Sequence, residues 1–136
     1  MKKNVSIVLL LAIVSLVPVS AETWEQYRNR VMRVSNAVFD AIGDPTFRMD
    51  SNDRIGAVWA THRWCYNAFQ QILRNAPGLT QQDQTRYRIS MMAHRVRLDE
   101  IEPLIRSFST STFNNIVARF NHWTNHLNNG GTIRFQ

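Results

Sequence analysis

Apolar residues recur at spacings of three and four in four stretches of the chain, each closed by a break, which is the pattern of four amphipathic helices. The first stripe is Trp24, Tyr27, Val31, Val34, Val38, Ala41 and Ile42. It opens at Thr23-Trp24-Glu25-Gln26, a capping box, and Gly43 followed by Asp44-Pro45 stops it. The second helix is expected from about Arg54 to Asn75, with Ser51, Asn52 or Asp53 as its cap. Ile55, Val58, Trp59, His62, Cys65, Tyr66, Phe69, Ile72 and Leu73 form its stripe, and Trp64 points roughly the opposite way. Pro77-Gly78 breaks the chain again.

A third helix starts at Thr80, with the seam Tyr87, Met91, His94, Leu98, Ile101, Ile105 and Phe108. Pro103 lacks an amide hydrogen, so it should kink or split this helix near Ile101. After the cap-rich Ser109 to Thr112, a fourth stripe runs through Phe113, Ile116, Val117, Phe120, Trp123 and Leu127 to Asn129-Gly130-Gly131. A short tail, Thr132 to Gln136, is expected against the other elements. No stretch alternates with the period of a strand. The fold class is therefore all-α, and short connections predict an up-down-up-down antiparallel four-helix bundle.

The first residues follow a different logic. Lys2 and Lys3 precede an apolar run from Val5 to Val17, Pro18 breaks it, and Val19-Ser20-Ala21 supplies small residues. This reads as a secretory signal peptide over residues 1–21, cleaved after Ala21. It leaves one helical domain, 22–136, that is secreted, or periplasmic in a bacterium. No later run is apolar and long enough to span a bilayer.

Charge adds one peculiarity. The chain has 16 basic residues against 10 acidic ones, and past the leader every basic residue is an arginine. Nothing in the sequence accounts for the absence of lysine there. On the third helix Arg86 and Arg97 flank one side of the apolar seam and Arg88, Arg95 and Arg106 the other, where long stems cover the core border and keep their heads wet. A weak polyanion affinity fits this basic balance, with Arg28, Arg30 and Arg33 close together on the first helix but diluted by Glu22, Glu25 and Asp40, whereas sequence-specific nucleic-acid binding does not.

The chemistry-bearing residues gather around the second break. His62 and His94 are equally distant in sequence from Gly78, and so are Cys65 and Met91. In an antiparallel hairpin such positions share a height. One reading is a small metal- or haem-binding bundle in which His62, Cys65, Met91 and His94 form a layer. Thiolate and thioether suit copper, imidazole suits copper or zinc, and facing imidazoles suit a non-covalent haem. The other reading is packing: a core histidine satisfied by Ser35 or Tyr66, with Cys and Met filling space. Two close buried imidazoles would also repel once protonated, which is the basis of a pH switch. His122 and His126, one turn apart, fall away from the apolar stripe and read as surface residues. No nucleophile, metal-protease or phosphate-loop motif is present, so an enzyme is not expected.

The third helix is apolar on a second side as well, through Ile89, Met92 and Val96. Together with Trp64 these predict an interaction surface for another protein or for a self-dimer. The sequence thus favours a secreted, non-catalytic binding module.

Overall fold

A computed structural model of the chain describes residues 18–19 and 21–135. The expected leader lies outside the described residues except for Pro18, Val19 and Ala21.

Four helices pack against one another, and there is no strand among the described residues. They are α1 (Trp24–Gly43), α2 (Asn52–Asn75), α3 (Gln81–Ser107) and α4 (Thr110–Asn128). Each starts on a hydroxyl cap. Thr23 and Gln26 make the reciprocal capping box expected for α1, and Ser51, Thr80 and Ser109 each accept an amide of the first turn. Gly78 turns the chain between α2 and α3 in the left-handed region, at φ +72°.

Pro103 does not split α3. The helix continues through it to Ser107 as one element. Ile101 and Ile105, on either side of the proline, are both buried, so packing on the core offsets the missing backbone bond.

α2 lies at the centre and packs on α1, α3 and α4. Small residues permit the close approach. A Cβ on Gly56 would stand 2.6 Å from Cβ of Arg119 and 3.0 Å from the Ile116 carbonyl oxygen. α4 therefore crosses α2 nearly backbone to backbone there. The core has two parts. One gathers Val38, Val58, Trp59, Leu98, Ile105, Phe113 and Phe120, and the other Tyr27, Val31, Trp64, Cys65, Phe69, Tyr87 and Leu127. The C-terminal tail folds back as expected: Ile133 is buried and the Phe135 ring sits 6.1 Å from Phe47.

The central position of α2 corrects one expectation. Trp64 is not on a surface: it is 1 % exposed. Its indole donates to Oδ1 of Asn128 at 3.0 Å, and the Arg30 guanidinium covers its ring at 5.2 Å. A helix wheel with one core side misplaces a residue on a helix that has neighbours on three.

Candidate functional site

The middle of the helix assembly holds a histidine pair. His62 on α2 and His94 on α3 are both fully buried, and their Nδ1 atoms are 2.8 Å apart. Nε2 of His94 lies 2.7 Å from Oγ of Ser35 on α1. Phe39 closes the pocket, with its ring 4.5 Å from His94 and 5.4 Å from His62. Phe69 stacks on His94 at 5.9 Å.

A short Nδ1–Nδ1 contact needs one nitrogen with a proton and one without. Each tautomer choice leaves Nε2 of His62 unpaired, since that atom is buried and has no hydrogen-bond partner among the described residues. Burial pushes both imidazoles well below the usual histidine range; Arg97 adds to this at His62, and His62 adds to it at His94. The pair is neutral at physiological pH.

The expected four-residue layer is reduced to this pair. Cys65 is buried and free, and it sits in the neighbouring cluster with Tyr27, Trp64 and Phe69. Burial raises its thiol far above the ordinary range, so it is a protonated core residue rather than a thiolate. Met91 is half-buried at the edge of the same cluster. Among the described residues no three of His, Cys, Asp and Glu converge as a metal site.

The pair itself does not fit a bridging ion. Two nitrogens each about 2.0–2.1 Å from one tetrahedral zinc stand about 3.4 Å apart, wider than the contact here. Nor does it fit a haem between the rings, because the imidazoles fill that space with their own contact and His94 spends its second nitrogen on Ser35.

A second polar centre was not foreseen. Arg30, expected in a surface group with Arg28 and Arg33, is 4 % exposed. Its Nη1 donates to the carbonyl oxygens of Leu127 at 2.8 Å and Gly131 at 3.0 Å, and it forks onto the Glu22 carboxylate at 2.8 and 3.1 Å. It thereby ties the start of α1 to the end of α4, satisfying carbonyls that a helix C-terminus leaves open. Glu102 is similar: Trp59 donates to it at 2.8 Å and Arg63 pairs with it, and it is half-buried. His122 and His126 lie exposed, and Nε2–H of His126 donates to the Thr132 carbonyl.

The outer surface is where accessible chemistry remains. Ile89, Met92 and Val96, expected there, are 66 %, 51 % and 56 % exposed. Further along α3, Leu104 is 64 % exposed on the neighbouring side, about 60° round from Ile89, and Phe108, the helix cap, is also exposed rather than on the seam. Among the described residues Met49 is a further large apolar side chain in the open.

The fold and these sites define a small all-helical protein with a sealed, neutral polar core and an apolar outer stripe on one helix. Comparison with protein-family models, curated proteins and solved structures returns no match.

Proposed function

We propose that this protein is a secreted, non-catalytic interaction module that docks another protein through the outward side of α3. The observation that supports this most directly is the concentration of exposed large apolar residues on that one helix and its cap: Ile89, Met92, Val96, Leu104 and Phe108. Scattered single exposures are ordinary on a protein surface; Ile89, Met92 and Val96, aligned on one side of one helix, are a recognition feature. Met92, in the middle of the row, has an unbranched, flexible side chain that can adjust to a facing surface.

His62, His94, Cys65 and the best-held carboxylates are buried or engaged, so none of these offers a group to a substrate. Charge supports protein over polyanion. Arg28, Arg30, Arg54, Arg63, Arg86, Arg95, Arg97 and Arg119 all form ion pairs with carboxylates of the same chain. Most of the positive charge is therefore already answered, leaving at most a weak, salt-sensitive attraction to polyanions.

The test is site-specific photo-crosslinking in the fluid into which the protein is secreted, with the probe at Met92 or, as control, at Arg74 on α2. The expected result is a discrete adduct from position 92 that is absent from position 74 and lost when Ile89→Glu is added. Equal labelling from both positions, or none from either, rejects a docking surface on α3.

A further inference from the structure

The outward side of α3 carries a charge order as well as an apolar row. Ahead of Met92 stand Arg86 and Arg88. Beyond Val96 stand Asp99 and Glu100, with side chains 65 % and 55 % exposed. The arginines between them pair with these same carboxylates through one oxygen each, which leaves the other oxygen to a facing chain, and Arg86 itself holds Asp83 at 3.4 Å through a single nitrogen. Arg95 bonds Asp99 along the helix and lies 5.7 Å over the Tyr66 ring of α2, and Arg97 bonds Glu100 at 3.2 Å. With about 100° of rotation per residue, Arg86 and Glu100 flank one border of the apolar row, and Arg88 and Asp99 flank the other.

We infer that the occupant of this surface is a second copy of the same chain, its α3 laid antiparallel on the first about a two-fold axis near Ala93 and His94. This rests on α3 being the docking surface and names its partner. A two-fold axis perpendicular to the helices reverses their direction while keeping each border beside the same border of the mate. Arg86 then meets the partner's Glu100, Arg88 meets the partner's Asp99, and Met92 packs on the partner's Val96. Symmetry makes each contact twice. A parallel arrangement would set arginine on arginine and carboxylate on carboxylate. The row is thus complementary to itself in one orientation, a property that an unrelated partner does not require. Because a single helix ridge gives a contact at the low end of specific interface sizes, the dimer should be dynamic, with a Kd in roughly the micromolar range.

Sedimentation equilibrium tests this on protein produced from the full reading frame in a secretory host, over about 1 μM to 1 mM at low salt, where exposed charges count most. Arg86→Glu and Glu100→Arg each place like charges together twice in the symmetric dimer. Each is expected to weaken self-association about tenfold or more. Mixed in equal amounts, the two variants regain opposite charges at every contact, so the mixture should sediment as a dimer although neither component does. Both positions are exposed, and thermal melts matching the wild type establish that the variants are folded. A wild-type chain that stays monomeric to about 1 mM overturns the inference, and so does a mixture that remains monomeric. The two readings fail separately. A monomeric chain that still gives the adduct specific to position 92, now with a different protein, removes only the second copy. A monomeric chain with no adduct removes the docking surface too.

Discussion

His62 and His94 touch through their Nδ1 atoms at 2.8 Å, and this contact admits a single proton. Doubly protonated imidazoles would point hydrogen at hydrogen, inside a core walled by Phe39 and Phe69. With Ser35 bound to the far nitrogen of His94, the pair joins α1, α3 and α2 in a row. It is a structural device whose integrity depends on both rings staying neutral.

That dependence gives a pH effect with a definite sign. Unfolded histidines take up protons near pH 6.5, whereas burial holds the folded pair far below that value. The contribution is therefore fully present above pH 6.5 and falls as the pH drops below it. Two such groups give a slope approaching about 2.7 kcal/mol per pH unit. Glu22 and Asp53 are shifted down by their arginine and indole partners against an opposing burial effect, so their share is lost only in the more acid carboxylate range. Urea denaturation between about pH 7 and 5 isolates the imidazoles. The double variant His62→Leu/His94→Leu should flatten the profile there. Wild-type and double-variant profiles of equal slope would show that the pair does not govern acid stability.

Cys65 leads to a kinetic expectation. A thiol that is fully buried and protonated cannot react with a disulfide reagent unless the core opens. Its modification rate should follow the unfolding equilibrium, rising with urea in step with loss of helix signal. Cys65→Ala should cost about 1–3 kcal/mol, the effect of a small cavity, and change nothing else. Stoichiometric labelling of the native protein within seconds would mean that this part of the core is open.

The sequence anticipates the buried polar and aromatic residues to different degrees, and the reason is geometric. His62 and His94 could be paired on paper because both lie on clear stripes and equally far from the Gly78 turn. Ser35 could be named as a partner because it falls within one turn of Val31 and Val38 on the stripe of α1; Tyr66, named beside it, instead meets Gln70 and Arg95. Trp64 and Arg30 could not be placed, since each explains the burial of the other: the guanidinium covers the indole, and its remaining donors take carbonyls about a hundred positions away. An arginine looks solvated until its acceptors are known. The available clue was on α2, where Gly56, Ala57, Ala60 and Ala68 put small residues around a helix that also carries large aromatics. That combination marks a central helix rather than one with a single buried side.

Arg30 should accordingly be among the least replaceable polar residues. Arg30→Met removes the donors to Leu127 and Gly131 and strands the Glu22 carboxylate, which is 11 % exposed. A cost of about 3–5 kcal/mol is expected, because breaking one side of a buried pair leaves the other side uncompensated. Arg30→Lys should recover only part of this, since an ammonium cannot fork between a carboxylate and two carbonyls. Thermal unfolding of both variants beside Arg33→Met, a neighbour without a described ion pair, checks the ranking. Equal losses for Arg30→Met and Arg33→Met would contradict it.

Gly56 and Gly43 should respond in opposite directions to the same substitution. Both are helical, and alanine favours a helix interior by about 1 kcal/mol over glycine. At Gly43, in the last turn of α1, a new Cβ meets nothing within 4 Å, so Gly43→Ala should be neutral or stabilise by a few tenths of that amount. At Gly56 the new Cβ falls 2.6 Å from Cβ of Arg119 and 3.0 Å from the amide nitrogen of Phe120. Those atoms belong to or adjoin the α4 backbone and cannot rotate away. α4 must move off α2, loosening the packing of Trp59 against Phe120, whose rings are 4.2 Å apart. Overpacking of this kind costs about 1–3 kcal/mol, enough to exceed the helix gain. Urea midpoints at neutral pH measure both signs. If Gly56→Ala raised the midpoint as Gly43→Ala does, the close crossing of α2 and α4 would have to be wrong.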